Sequence, residues 1–249
     1  MTMAYWFESI RKRYKIRREL PQFWDFPELG FGYIQIPKVA TRSIRDGLMK
    51  AQGMSAGIDD FAAFEQRFSS HIGHSDIRRA GAGKVIFAFV RHPLARLYSA
   101  YVDKIVNAER EGRRNIFACH DLFYGMNFEH FVERVCEIDD RNIDRHLRSQ
   151  AWFLTDTQGL IPNFLGRLES FNIDWERLRQ QIPSIGKVDH LNLAAGDSDY
   201  LAQYSPHALS LVHWPHDDSR AISSISATHP SKCRHTLHPG PPTLCSGIS

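Results

Sequence analysis

Two short stretches of this chain carry residues whose types and spacing suit anion chemistry. The first is IPKVATRS, Ile36 to Ser43, where Lys38, Thr41, Arg42 and Ser43 bring two cations and two hydroxyls together. The second is FAFVRHPLARLYSAY, Phe87 to Tyr101, in which Arg91 precedes Ser99 by eight residues. Backbone N–H groups at the start of a helix attract a phosphate or sulfate, and a nearby lysine adds charge. An arginine contributes charge-assisted hydrogen bonds, the stronger kind. The GxxxxGK[ST] pattern of nucleotide triphosphatases is absent, since the lysine stands at the head of the loop and not at its end. Read alone, the first stretch is equally an ordinary polar loop. Arg91 alone could be an ion-pair partner in the scaffold, and Ser99 a small packing residue.

Such chemistry needs both stretches at the ends of strands. Phe31–Ile36 reads as a short strand stopped by Pro37, and Ile44, Leu48 and Met49 repeat at helical spacing within Thr41–Lys50. Lys84–Val90 is the clearest strand, and its unbroken apolar character implies burial on both faces, as in a parallel sheet. Pro93 suits the first turn of a helix whose Leu94, Leu97, Tyr98 and Tyr101 share a face. Two strand–loop–helix units result, and open α/β sheets bind ligands at the carboxyl ends of such strands. Further helices are expected at Asp59–Phe68, after the cap Asn127, at Asp144–Phe153, at Asp174–Ile182 and from Ser205-Pro206. Gly81–Gly83 marks a turn, Leu160–Leu165 a third strand, and Gln22–Leu29, bracketed by Pro21 and Pro27, a loop. The alternation specifies an α/β domain with a mainly parallel sheet flanked by helices.

Composition bounds the rest. The 249 residues suffice for one large domain, and 16 Phe, 8 Tyr and 5 Trp exclude general disorder. No apolar run reaches the roughly 18–20 residues of a membrane-spanning helix, and Ala4–Phe7 is too short for the apolar core of a secretory signal. Cys119, Cys136, Cys233 and Cys245 lack ligand spacing, which argues against a disulfide scaffold or zinc module and for a reducing cytoplasm. A net charge of +3 gives no bulk field for nucleic acid, yet Arg11, Lys12, Arg13, Lys15, Arg17 and Arg18 crowd one stretch. A solvated helix face is the simpler reading of that run; a polyanion or a peripheral membrane contact is the other. The chain divides into a basic segment 1–30, a domain 31–213 and an irregular or disordered tail 214–249, rich in Pro and Ser.

Taken together, the two stretches resemble those of the carbohydrate-type sulfotransferases that use 3′-phosphoadenosine 5′-phosphosulfate (PAPS). IPKVATRS is similar to that family's 5′-phosphosulfate loop, and VRHPLARLYSAY to its 3′-phosphate segment. FEHFVERV, the DRHLRSQ stretch with Asp144, His146 and Gln150, and FLGRLESF resemble later blocks, so the likeness spans roughly residues 31–213. It implies a P-loop NTPase-like fold, related to nucleotide kinases, and transfer of a sulfuryl group to a carbohydrate hydroxyl without a metal. Lys38 would contact the 5′-phosphate and the transferring group. The backbone of Val39, Ala40, Thr41, Arg42 and Ser43, with the Thr41 and Ser43 hydroxyls, would wrap the 5′ end, and Arg91 and Ser99 would hold the 3′-phosphate.

Relatives often place a histidine base between these segments. SSHIGH offers His71 and His74, with the Gly-His pair favouring His74 and a scaffold role as the alternative for either. Glu169 is a further candidate base, or a support for the nucleotide loop through an ion pair; His92 and His146 read as supporting residues. Asp189–Tyr200 is expected to close over the nucleotide. Beyond His213 the chain departs from the family's acidic, aromatic continuation, which leaves an inactive PAPS-binding protein as one alternative. An ATP-dependent small-molecule kinase is another, weakened by the missing GK[ST] loop. Animal relatives carry a membrane anchor, so a bacterial-type cytoplasmic enzyme is the closer match.

Overall fold

The computed structural model describes residues 11–54, 58–188 and 200–212. Its strands are β1 (Gln22–Phe26), β2 (Phe31–Gln35), β3 (Ser69–His71), β4 (Val85–Val90), β5 (Thr155–Asp156), β6 (Gly159–Leu160) and β7 (Phe164–Arg167). Five of them form one sheet in the order β3-β1-β2-β4-β7, and β5 and β6 make a small hairpin. β2, β4 and β7 run parallel, with Tyr33 opposite Phe87 and Val90 opposite Arg167. β1 is antiparallel to both its neighbours, with Phe26 opposite Phe31 and Gln22 opposite His71.

The sheet is therefore mixed, which corrects the expectation of a mainly parallel one. The loop expected over Gln22–Leu29 is the cause. Phe23, Trp24 and Phe26 are fully buried on the sheet, and the chain reverses through Pro27–Leu29 to Gly30, whose φ of +70° suits glycine. Phe26 then stacks on Phe31 with ring centroids 4.6 Å apart. β1 thus ties the basic segment to the same sheet as the rest.

Residues 11–17 form helix α1. Three of its cations are drawn into the body: Lys12 donates to the Ile116 carbonyl, Arg13 to Cys119 O at 2.8 Å, and Arg17 to Asn142 at 2.6 Å. Arg11, Lys12, Lys15 and Arg18 line a groove of about 1140 Å³ with Arg114.

The remaining helices are α2 (Thr41–Ala51), α3 (Ile58–Phe68), α4 (His74–Ala80), α5 (Pro93–Tyr101), α6 (Asn107–Arg110), α7 (Phe128–Cys136), α8 (Gln150–Leu154), α9 (Phe171–Gln181) and α10 (Pro206–Leu211). A π-helical turn, Val102–Val106, joins α5 to α6. Ile86 to Val90 are all buried, as a strand covered on both faces must be. α9 covers one side, where Phe171 and Trp175 lie 4.9 and 5.8 Å from Phe89. A second cluster packs α5 and the π-helical turn on α7 through Ala100, Ile105, Phe131 and Val135. Asn127 caps α7 and Ser205 caps α10, each by accepting a backbone N–H.

Two expected elements are shorter than their apolar content suggests. Asp144–Phe153 is helical only in α8, because the Asp144 and Asp140 carboxylates accept the N–H groups of His146 and Ser149 and hold turns there. Leu160–Leu165 is broken at Pro162, with Leu160 in β6 and Leu165 in β7. The tail 214–249 and most of Asp189–Tyr200 lie outside the described residues. Among the described residues no helix is long and apolar enough to cross a membrane.

Candidate active site

β2 and β4 are parallel neighbours, so the loops leaving their carboxyl ends open on the same side of the sheet. The β2–α2 loop takes an unusual path. Lys38 and Ala40 both have left-handed backbones, at φ +70° and +57°, which side chains disfavour. That conformation turns successive N–H groups toward one point, a nest suited to an anion. Ala40 is the N-cap of α2 and has no side chain to satisfy the first N–H groups of the helix. Val39 between them is fully buried in the core, leaving only its backbone to face a ligand.

A cavity of about 740 Å³ sits on this loop, and Lys38, Ala40, Thr41, Arg42, Ser43, Arg91 and Ser99 all line it. The structure thus brings the two sequence stretches to one place. Arg91 is 5% exposed, and its guanidinium donates to Lys38 O at 3.4 Å. Gln150 fixes the Arg91 backbone by accepting its N–H at 3.0 Å and donating to its carbonyl at 2.8 Å. Glu169 accepts the His92 N–H at 2.6 Å. It supports the loop through the backbone, where an ion pair had been expected.

Charge is concentrated around Asp103 on the π-helical turn. Its carboxylate meets Lys38 Nζ at 3.0 Å, Lys104 Nζ at 3.0 Å and Arg113 at 3.1 Å. Burial alone would raise the Asp103 carboxyl, but the Lys38 charge and the hydrogen bonds from Lys38 and Lys104 hold it far below the carboxylate range. Burial also pulls the Lys38 ammonium down, against the pull of Asp103. Six cations and three hydroxyls lining one cavity suit a phosphate- or sulfate-bearing ligand. Among the described residues no group of His, Cys, Asp and Glu could hold a metal ion.

The histidines are placed differently from expectation. His74 opens α4, its Nε2 lies 2.5 Å from Trp152 O, and it lines a separate cavity with Arg78 and Asp156. His71 sits on β3 and lines the α1 groove. His146 lines the Lys38 cavity.

Sequence reasoning also missed Arg96. It is 5% exposed and donates to Pro37 O at 3.0 Å, Arg148 O at 2.8 Å and Arg145 O at 3.2 Å. One guanidinium thus ties the loop at Pro37 to the stretch at residues 145–148. Its position one helical turn after His92 gave no sign of this, because its acceptors are backbone atoms distant in sequence.

A model of the sulfotransferase family, family 2, matches residues 21–205. The chain belongs to that family, and its α/β fold with a mixed five-stranded sheet agrees. No curated protein and no solved structure matches it.

Proposed function

We propose that this protein transfers a sulfuryl group from PAPS to a hydroxyl of a carbohydrate or glycoconjugate. The observation that carries the reading is the convergence of Lys38 to Ser43 with Arg91 and Ser99 on one cavity at the carboxyl ends of two parallel strands. The core is read as P-loop NTPase-like, with the β2–α2 loop and α2 N-terminus receiving the 5′-phosphosulfate. Arg91 and Ser99 then face the 3′-phosphate. Sulfuryl transfer, like phosphoryl transfer, depends on positioning and charge stabilisation, which Lys38 supplies at the leaving phosphate. A histidine takes the acceptor proton. Asn107, Glu111 and Arg145 make the rest of the cavity wall polar, which suits a hydroxyl-rich acceptor. Cys119 and Cys136 are free thiols, as a cytoplasmic enzyme would keep them.

Calorimetry tests the reading without an acceptor. 3′-Phosphoadenosine 5′-phosphate is expected to bind, and adenosine 5′-phosphosulfate, which lacks the 3′-phosphate, to bind roughly tenfold to a hundredfold more weakly. ATP binding as tightly as the bisphosphate would favour a kinase and remove Arg91 and Ser99 from their roles.

A further inference from the structure

Among the described residues the Lys38 cavity has one imidazole in its wall, and its surroundings differ from those of the histidines first singled out. His146 Nδ1 lies 2.7 Å from Asp144 Oδ1, and the same oxygen accepts the His146 N–H at 3.0 Å. Asp144 is itself 9% exposed, and its own N–H donates to His120 Nε2 at 3.1 Å, which holds the backbone that carries the carboxylate. With Nδ1–H held by a carboxylate, the lone pair of the ring is placed on Nε2. Nε2 of His146 has no hydrogen-bond partner among the described residues.

The carboxylates of the cavity wall are already paired, Glu111 with Arg113 at 2.7 Å. Asp103 is committed to three cations, and Lys38 is one of them. His74 is turned to Trp152 O in another cavity.

We infer that His146 is the residue that accepts the proton of the acceptor hydroxyl, and that Asp144 is its positioning residue. The inference rests on the sulfotransferase reading above and replaces His74 in it. The acceptor O–H proton passes to Nε2 as the acceptor oxygen forms its bond to sulfur. The bond between sulfur and the bridging oxygen of the 5′-phosphate breaks with its electron pair, giving a sulfate ester, 3′-phosphoadenosine 5′-phosphate and a protonated His146. Asp144 stabilises that imidazolium.

The charged neighbours of His146 are Asp144, Lys104 on the π-helical turn and Arg145, with Glu19 beyond α1; the Phe117 ring packs 6.3 Å away. Burial comes first among the influences on the ring and pulls its pKa down, the Asp144 hydrogen bond opposing it, which keeps the imidazole neutral near pH 7.

Two measurements on the whole chain test this. Ring-proton NMR should show 3′-phosphoadenosine 5′-phosphate, four negative charges near the cavity, raising the pKa of His146 and leaving His74 unmoved. If the bisphosphate binds and His74 moves in place of His146, the inference is overturned while the nucleotide reading stands. If the bisphosphate does not bind, the nucleotide reading falls and takes the inference with it. Turnover of PAPS, with water or a panel of monosaccharide glycosides as acceptor, gives the second readout. His146→Gln should lose about 10²–10⁴-fold in rate with nucleotide affinity within about threefold, and His74→Gln should keep the wild-type rate. Asp144→Asn covers the case in which His146→Gln fails to fold. It should lower the rate and displace the acid limb of the pH profile, whereas a merely structural role would leave that limb in place. Wild-type turnover in His146→Gln, or an unmoved acid limb in Asp144→Asn, would overturn the assignment.

Discussion

Lys38 and Asp103 form a direct ion pair at 3.0 Å in the cavity wall, and the carboxylate also holds Lys104 and Arg113. An incoming phosphate therefore competes with Asp103 for the same cations. Asp103→Asn removes that competitor and raises the local charge by one. It should tighten binding of the bisphosphate severalfold, on the order of 1 kcal/mol, with a steeper salt dependence. Lys38→Ala should act oppositely, weakening binding about tenfold or more and slowing turnover, because in the proposed function the lysine serves bound and transition states alike. Titration calorimetry at two ionic strengths separates the two. At this scale the convergence of Lys38, Arg91 and Ser99 on one cavity was legible, since strand, loop and helix are adjacent in sequence and the eight-residue interval is local. Asp103 and His146 were not. Their place in the cavity comes from a π-helical turn and from a turn held by Asp144, and neither leaves a periodic trace.

Among the elements, the two strand–loop–helix units could be read because an unbroken apolar run at Ile86–Val90 and a helical stripe after Thr41 are strong local signals. β1 hid behind its flanking prolines, and three-residue β3 is too short to show a period. Both belong to the antiparallel half of the sheet, so the error in strand direction has the same origin. What joins the elements is Arg96. Arg96→Ala leaves three carbonyls around a buried site without their donor, a loss of about 3–5 kcal/mol. Nucleotide affinity should fall as well, although Arg96 does not line the cavity. Chemical denaturation and calorimetry on the same variant check both, and Arg96→Lys, restoring one donor, should fall between.

For the molecule as a whole, a buried histidine contributes to the response to mild acid. His120 is 3% exposed and accepts the Asp144 N–H, and burial pushes its pKa down to about 4. An unfolded histidine takes its proton near pH 6.5. Between those values the unfolded chain binds more protons, so stability falls as pH drops from 6.5 to 4, by about 3 kcal/mol from this residue. His120→Gln, which keeps an acceptor for Asp144, should flatten that part of the curve of unfolding midpoint against pH. The Arg96 and Gln150 contacts carry a further consequence, for the order in which the protein is made. The loop at Lys38 leaves the ribosome early, but the carbonyls that anchor Arg96 lie at residues 145 and 148, and the lock on Arg91 at residue 150. A nascent chain halted before residue 145 holds Lys38, Arg91 and Ser99, but of the Arg96 and Gln150 contacts that set them it has only the one from Arg96 to Pro37 O. Nucleotide capture should thus begin late in synthesis, after the newborn chain has passed through a stage in which its cationic loop is still unset.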